Sequence, residues 1–119
     1  MKVTKKVVGN FVIFTISGRL DMINVGKIKS IFDKEIEAGA INVAINMSEL
    51  DYIDSSGIGS FIGLMSKLKQ KGGNVFLFGM KPDIHKIFQM TKLLGFFKVF
   101  PDEATFLREV VGKGYYKRS

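Results

Sequence analysis

The 119-residue chain has no cysteine and no tryptophan, one histidine and two prolines. Without cysteine it has no disulfides, no thiolate zinc site and no cysteine nucleophile. The lone His85 excludes a multi-histidine metal centre. No apolar stretch approaches the ~18–20 residues that cross a bilayer. The opening Met1 to Asn10 is too short and broken for a signal-peptide core. Arginine, the usual reader of base edges, occurs only as Arg19, Arg108 and Arg118. These absences point to a small soluble protein of a reducing, cytoplasmic compartment with no metal site. The chain is further expected to be a monomer with no cofactor of its own, no direct nucleic-acid contact and no membrane contact.

What is present is a core. Hydrophobic residues make up 46% of the chain, too many for a disordered protein. The length suits one domain over 1–119, with an ordered core about 4–111 and a basic tail over 112–119. Lys and Arg number 18 against 11 Asp and Glu, a balance of +7. The lysines are scattered in pairs and triplets such as Lys5-Lys6 and Lys67/Lys69/Lys71. That pattern reads first as solvated helix faces, and second as a docking surface for an acidic protein.

Hydrophobic periodicity alternates along the chain. Val7-Val8 and Phe11 to Ile16 flank Gly9-Asn10, the signature of two strands about a tight turn. Gly18-Arg19-Leu20-Asp21 closes the second strand. Val25, Ile28, Phe32 and Ile36 then recur at helical spacing up to Gly39, with Asp21 or Asn24 as the cap. Ile41 to Met47 reads as a buried strand, Ser48 to Asp54 as a loop. A second helix carries Ile58, Phe61, Ile62, Met65 and Leu68 on one side and stops at Gly72-Gly73. Val75 to Phe78 is another strand, and Pro82-Asp83 opens a third helix through Ile84, Ile87 and Phe88. Phe96 to Phe100 reads as a short edge strand. Asp102 and Glu103 start a last helix with Leu107 and Val110. The sum is an α/β fold: a mixed β-sheet with an N-terminal hairpin, then alternating helix and strand, with about four helices.

The polar cluster Asp54-Ser55-Ser56-Gly57-Ile58-Gly59 falls at the start of the second helix. Its plain reading is a serine N-cap, worth ~1 kcal/mol. Two hydroxyls stand where one suffices, and each glycine costs ~1 kcal/mol inside a helix. The amino end of a helix also tolerates a phosphate, which would add about −1.5 to −2 charge. Gly57 to Gly63 resembles a dinucleotide-binding glycine pattern. A six-residue loop before it and the missing acid after Phe78 count against that assignment. No phosphate-binding GxxxxGK[ST] loop is present, and no Gly-x-Ser-x-Gly elbow. Catalysis is not expected.

The order hairpin, helix, strand, Asp-Ser-Ser-Gly, helix resembles the STAS domain family, and within it the bacterial anti-sigma factor antagonists. Gly18-Arg19-Leu20-Asp21, Ile45 to Gly59, Lys71 to Val75 and Phe88 to Leu94 carry the likeness, which extends over about residues 4 to 111. The resemblance implies partner switching, with Ser55 phosphorylated by an anti-sigma factor that is itself a serine kinase, and Ser56 the second choice. Unphosphorylated protein would bind that kinase and release its sigma factor, and a metal-dependent serine phosphatase would restore the serine. ATP and Mg²⁺ would belong to the kinase. Asp21, Asp54, Ser55, Ser56, Gly57 and Ile58 are the implied partner-binding residues. The +7 charge, Asn46 and Ile58 depart from the family's usual acidity, Asp and Leu. The alternative is a non-switching scaffold, or an accessory subunit of a signalling particle or lipid transporter.

Overall fold

A computed structural model describes residues 1–112, so the expected basic tail lies, from Lys113 onward, outside the described residues. Strands β1 (Lys2–Val8) and β2 (Phe11–Leu20) form the N-terminal antiparallel hairpin, with Val8 opposite Phe11 across a two-residue turn. Next come α1 (Val25–Glu37), β3 (Asn42–Asn46), β4 (Leu50–Ile53), α2 (Ser55–Lys69), β5 (Asn74–Phe78), α3 (Pro82–Met90), β6 (Lys98–Phe100) and α4 (Glu103–Phe106). The sheet runs β1-β2-β3-β5-β6, and every pairing after the hairpin is parallel. This is the expected mixed α/β architecture, with six strands and four α-helices among the described residues.

Strand alternation divides the core between the two faces of the sheet. Val12, Phe14 and Ile16 of β2 face α1, α2 and α3, packing with Ile28, Phe61 and Phe88 in the larger cluster. Phe11 and Ile13 face the other way and pack with Ala44, Phe76, Phe78, Phe106 and Val110. Phe106 is the hub of that layer, its ring centroid 5.3–5.7 Å from those of Phe11, Phe76, Phe78 and Phe100. One residue is out of character there. Asn42 is 1% exposed, and neither its amide nitrogen nor its oxygen has a hydrogen-bond partner among the described residues.

Three expectations are corrected. Ser48 to Asp54 is not a loop throughout, because Leu50–Ile53 forms β4, parallel to the end of β2. β2 serves two neighbours in turn, pairing with β3 over residues 12–15 and with β4 over residues 18–20. Within the β4 pairing the register shifts between Gly18 and Arg19, which skips Asp51, and Gly18 takes φ +89° there. Phe96 and Phe97 precede the edge strand instead of joining it. Leu94–Phe96 is a 3₁₀ turn, and Phe97 folds back onto Phe88 with centroids 5.9 Å apart. The last helix is α-helical only to Phe106, then continues as a π-helical turn over Leu107–Val111.

Candidate functional site

β4 delivers the chain directly to Asp54, whose amide donates to the Leu20 carbonyl at 3.3 Å. Asp54 sits in extended conformation, and the helix begins at the next residue. One carboxylate oxygen, Oδ1, accepts from the Gly57 amide at 3.1 Å and from the Ser56 hydroxyl at 2.8 Å. Asp54, not a serine, is therefore the N-cap of α2, and Ser55 and Ser56 are its first two helical residues. The reason is geometric: only the residue in extended conformation before the first turn can fold its side chain over the exposed amides.

The other oxygen of Asp54, Oδ2, accepts from the Met22 amide at 3.1 Å. Partial desolvation pushes the Asp54 pKa up, but the hydrogen bonds from Gly57, Ser56 and Met22 together outweigh it and hold the carboxyl below its ordinary value. The cap thus stays ionised at neutral pH. The main-chain oxygen of Asp54 accepts from the Ile58 amide at 3.1 Å, so this residue alone takes up two amides of the first turn. The expected cradle of bare amides for an incoming anion is correspondingly smaller.

Ser55 is exposed, and its hydroxyl has no partner among the described residues. Ser56 is half-buried and committed to Asp54. Gly57 is buried, and a Cβ there would lie 2.7 Å from Ile53 Cγ1 and 3.0 Å from Leu20 Cγ. Its missing side chain lets α2 start directly against β2 and β4. Ile58, expected among the partner contacts, is 0% exposed and packs in the larger cluster, so its side chain belongs to the core.

Asp21 shapes the turn beside this helix end. Its Oδ1 accepts from the Ile23 amide at 3.1 Å, and Arg19 Nε lies 3.6 Å from Oδ2. Neither Asp21 nor Asn24 caps α1 through its side chain, as was expected. Asn24 holds the N-cap position, but its side chain bridges backward, accepting from the Asp21 amide and donating to the Arg19 carbonyl. Arg19 lies over the Tyr52 ring, 4.1 Å from its centroid. This bonding holds Met22 and Ile23 out in solvent, 75% and 90% exposed. Neither residue is among the expected site residues; the signal for the pair is two large apolar residues falling before the helical stripe that starts at Val25.

From Ser55 the exposed i+4 row of α2 continues through Gly59 and Gly63 to Lys67. Nothing lies within 4 Å of a Cβ built at Gly59 or Gly63. These two glycines floor a groove of about 280 Å³ between α1 and α2, which the 2.7 Å ion pair of Lys67 with Asp33 crosses. The dinucleotide assignment loses one of its two objections, since Asp54 alone separates β4 from α2. The other stands: Gly79-Met80-Lys81, not an acid, follows β5. Among the described residues no cluster of His, Asp or Glu could hold a metal ion, and no helix is long and apolar enough to cross a membrane.

A family model described as STAS domain matches residues 2–106. The anti-sigma-B factor antagonist of Staphylococcus epidermidis is 28% identical over 78 residues, 66% of this chain and 72% of that protein. SpoIIAA, an anti-sigma factor antagonist of Bacillus, is 27% identical over 90% of this chain. Its unphosphorylated form superposes with a TM-score of 0.76 over 95% of its length, and its phosphorylated form with 0.69 over 98%. An anti-sigma factor antagonist of Mycobacterium paratuberculosis shares the fold, with a TM-score of 0.82 at 16% identity over 92% of this chain and 93% of its own.

Proposed function

The chain belongs to the STAS domain family, and from that premise we propose that it is an anti-sigma factor antagonist switched by phosphorylation of Ser55. The observation that carries this reading is the exposed, unengaged hydroxyl of Ser55 at the first turn of α2, beside a Ser56 that is already committed to Asp54. SpoIIAA and the Staphylococcus epidermidis relative support the antagonist function, and SpoIIAA is known in both phosphorylation states.

The physical switch is charge. Unphosphorylated, the surface around Ser55 offers a hydroxyl, a bare strip at Gly59 and Gly63, and the apolar Met22 and Ile23. A phosphate adds about −1.5 to −2 charge next to a carboxylate that is held ionised. A partner surface that accepts the neutral form then meets concentrated negative charge at the centre of the contact. The fold need not change, because the cap of α2 comes from Asp54 and not from the modified serine.

On this reading the partners are an anti-sigma factor with serine-kinase activity, whose ATP and Mg²⁺ are its own, and a metal-dependent serine phosphatase. The chain contributes no catalytic group and works as a cytoplasmic monomer, one domain over residues 1–119. Asp21 and Asp54 shape the recognised surface.

The test is incubation with ATP, Mg²⁺ and the anti-sigma factor kinase encoded in the same genome, followed by mass spectrometric mapping. Phosphate is expected on Ser55. Ser55→Ala should retain kinase binding and Ser55→Asp should weaken it. Modification elsewhere, or association indifferent to Ser55→Asp, would instead favour a non-switching scaffold.

A further inference from the structure

From Ile84 to Pro101 the chain contains no acidic residue, while Lys86, Lys92 and Lys98 fall within it. The middle of this stretch is a tightly bonded turn. The Thr91 hydroxyl donates to the Ile87 and Phe88 carbonyls, and the Leu93 amide donates to Phe88 at 3.2 Å. Phe97 is pinned on Phe88, which closes the turn onto the core. From this fixed base two large apolar side chains project: Met90, 75% exposed, and Phe96, 58% exposed. Lys86 lies one helical turn before Met90, on the same side of α3.

Lys92 is the telling residue. It takes φ +60°, the only non-glycine in the left-handed region among the described residues. It occupies the position just past the helix end where glycine is at ease and a β-carbon is crowded. A strained backbone carrying a solvent-exposed cation, between two exposed apolar side chains, is a local cost with no packing return. Neither Lys86 nor Lys92 has an ion-pair partner among the described residues.

We propose that this end of the molecule docks on an anionic lipid surface, with Met90 and Phe96 entering the interfacial layer and Lys86 and Lys92 meeting the headgroups. Charge complementarity selects the occupant: an acid-free segment on a chain of net charge +7 faces a surface of uniform negative charge. A bilayer needs only projecting apolar groups with cations close to them in the chain, which the end of α3 and the turn after it supply. The grooves that could seat a shaped protein partner lie elsewhere, between α1 and α2 and between β1 and α1. Lys81, at the opposite end of α3, pairs with Asp51 of β4, the strand that leads to Ser55. The patch therefore lies roughly 13 Å, the length of α3, from that pairing. Docking does not depend on the reading of Ser55.

The experiment is co-sedimentation of the full chain with vesicles containing phosphatidylglycerol, against vesicles of phosphatidylcholine alone, at low and high salt. Binding is expected only to the anionic vesicles and should fall with salt. Lys92→Gly should weaken it about fivefold, the contribution of one lysine at such a surface. The same change should raise the melting temperature, so unfolding cannot account for the loss. Phe96→Ser should weaken binding by about tenfold. No sedimentation with anionic vesicles, equal binding to phosphatidylcholine, or wild-type binding by both variants overturns the proposal. Retention on immobilised polyglutamate without vesicle binding overturns it too, and assigns the patch to an acidic protein.

Discussion

Asp54 and Met22, 32 positions apart, are joined by a hydrogen bond from the Met22 amide to one carboxylate oxygen at 3.1 Å. The other oxygen of the same carboxylate caps α2 through Gly57 and Ser56. A single side chain therefore fixes both parts of the surface around Ser55, the helix start that carries the hydroxyl and the turn that holds Met22 and Ile23 in solvent.

Asp54→Asn should destabilise the fold by about 1 kcal/mol at neutral pH, the net worth of one hydrogen bond, since asparagine can itself cap a helix. An amide offers only one acceptor, so one of the donors that now meet the two oxygens would face an NH₂ group. The folded-state pKa of Asp54 lies below its ordinary 3.8. Its ionised form therefore stabilises the fold above that value, and the gain is lost as pH falls through the lower, folded-state pKa. Denaturant melts of wild type and Asp54→Asn across acidic pH should converge at the low end. A gap that stays constant down to the most acid conditions would show that ionisation plays no part.

Gly57 and Gly59 are two residues apart in one helix and should respond oppositely to alanine. At Gly57 the new Cβ would meet Ile53 Cγ1 at 2.7 Å and the Leu20 carbonyl oxygen at 3.1 Å, so Gly57→Ala should cost about 1–3 kcal/mol through overpacking. At Gly59 the space is empty, and Gly59→Ala should stabilise by about 0.5–1 kcal/mol through helix propensity alone. Thermal melts check both. If Gly59→Ala raises the melting temperature while lowering affinity for the anti-sigma factor, the bare strip beside Ser55 serves the approach of a partner. Unchanged affinity would leave that glycine without a binding role.

The elements that could be read from the chain are those whose signal is local. The 3.6-residue stripes of α1, α2 and α3 and the apolar runs of β3 and β5 need no knowledge of the rest of the molecule. β4 could not be read that way. Leu50-Asp51-Tyr52-Ile53 is four residues with a charge in the middle, and it becomes a strand only by pairing with the end of β2, residues 18–20, beyond the stretch that pairs with β3. The cap was equally hidden, since Asp54, Ser55 and Ser56 are all good cap residues and only backbone geometry chooses among them. Ile58 shows the two kinds of signal in conflict. The helical stripe assigned it to the core, the motif to the partner surface, and burial decided for the stripe. The exposed pair Met22-Ile23 went unread because its orientation depends on hydrogen bonds its amides donate to side chains up to 32 residues away.

Asn42 supplies the remaining prediction. In β3 its neighbour Val43 faces the helices and Ala44 faces the aromatic layer, so strand alternation puts Asn42 on the side of Ala44. Its partner by register is Asn74 of β5, and it lies one residue before the β2 pairing begins at Val43. The buried amide carries two donors and an oxygen, and none of them is satisfied among the described residues. An unpaired buried polar group costs about 1–3 kcal/mol relative to the same group in water. Asn42→Val removes that cost, suits a strand through its β-branch and nearly conserves volume. The variant should therefore be more stable, by about 1 kcal/mol, measured as a higher denaturation midpoint at unchanged slope. A loss of stability would mean that the amide is paired in solution, by a water or by a group outside residues 1–112. Amide exchange at Val43 and Ala44 would separate these cases: an amide that braces β3 would protect them in the wild type and release them on substitution, whereas an orphaned one would leave their protection the same or lower than in the variant.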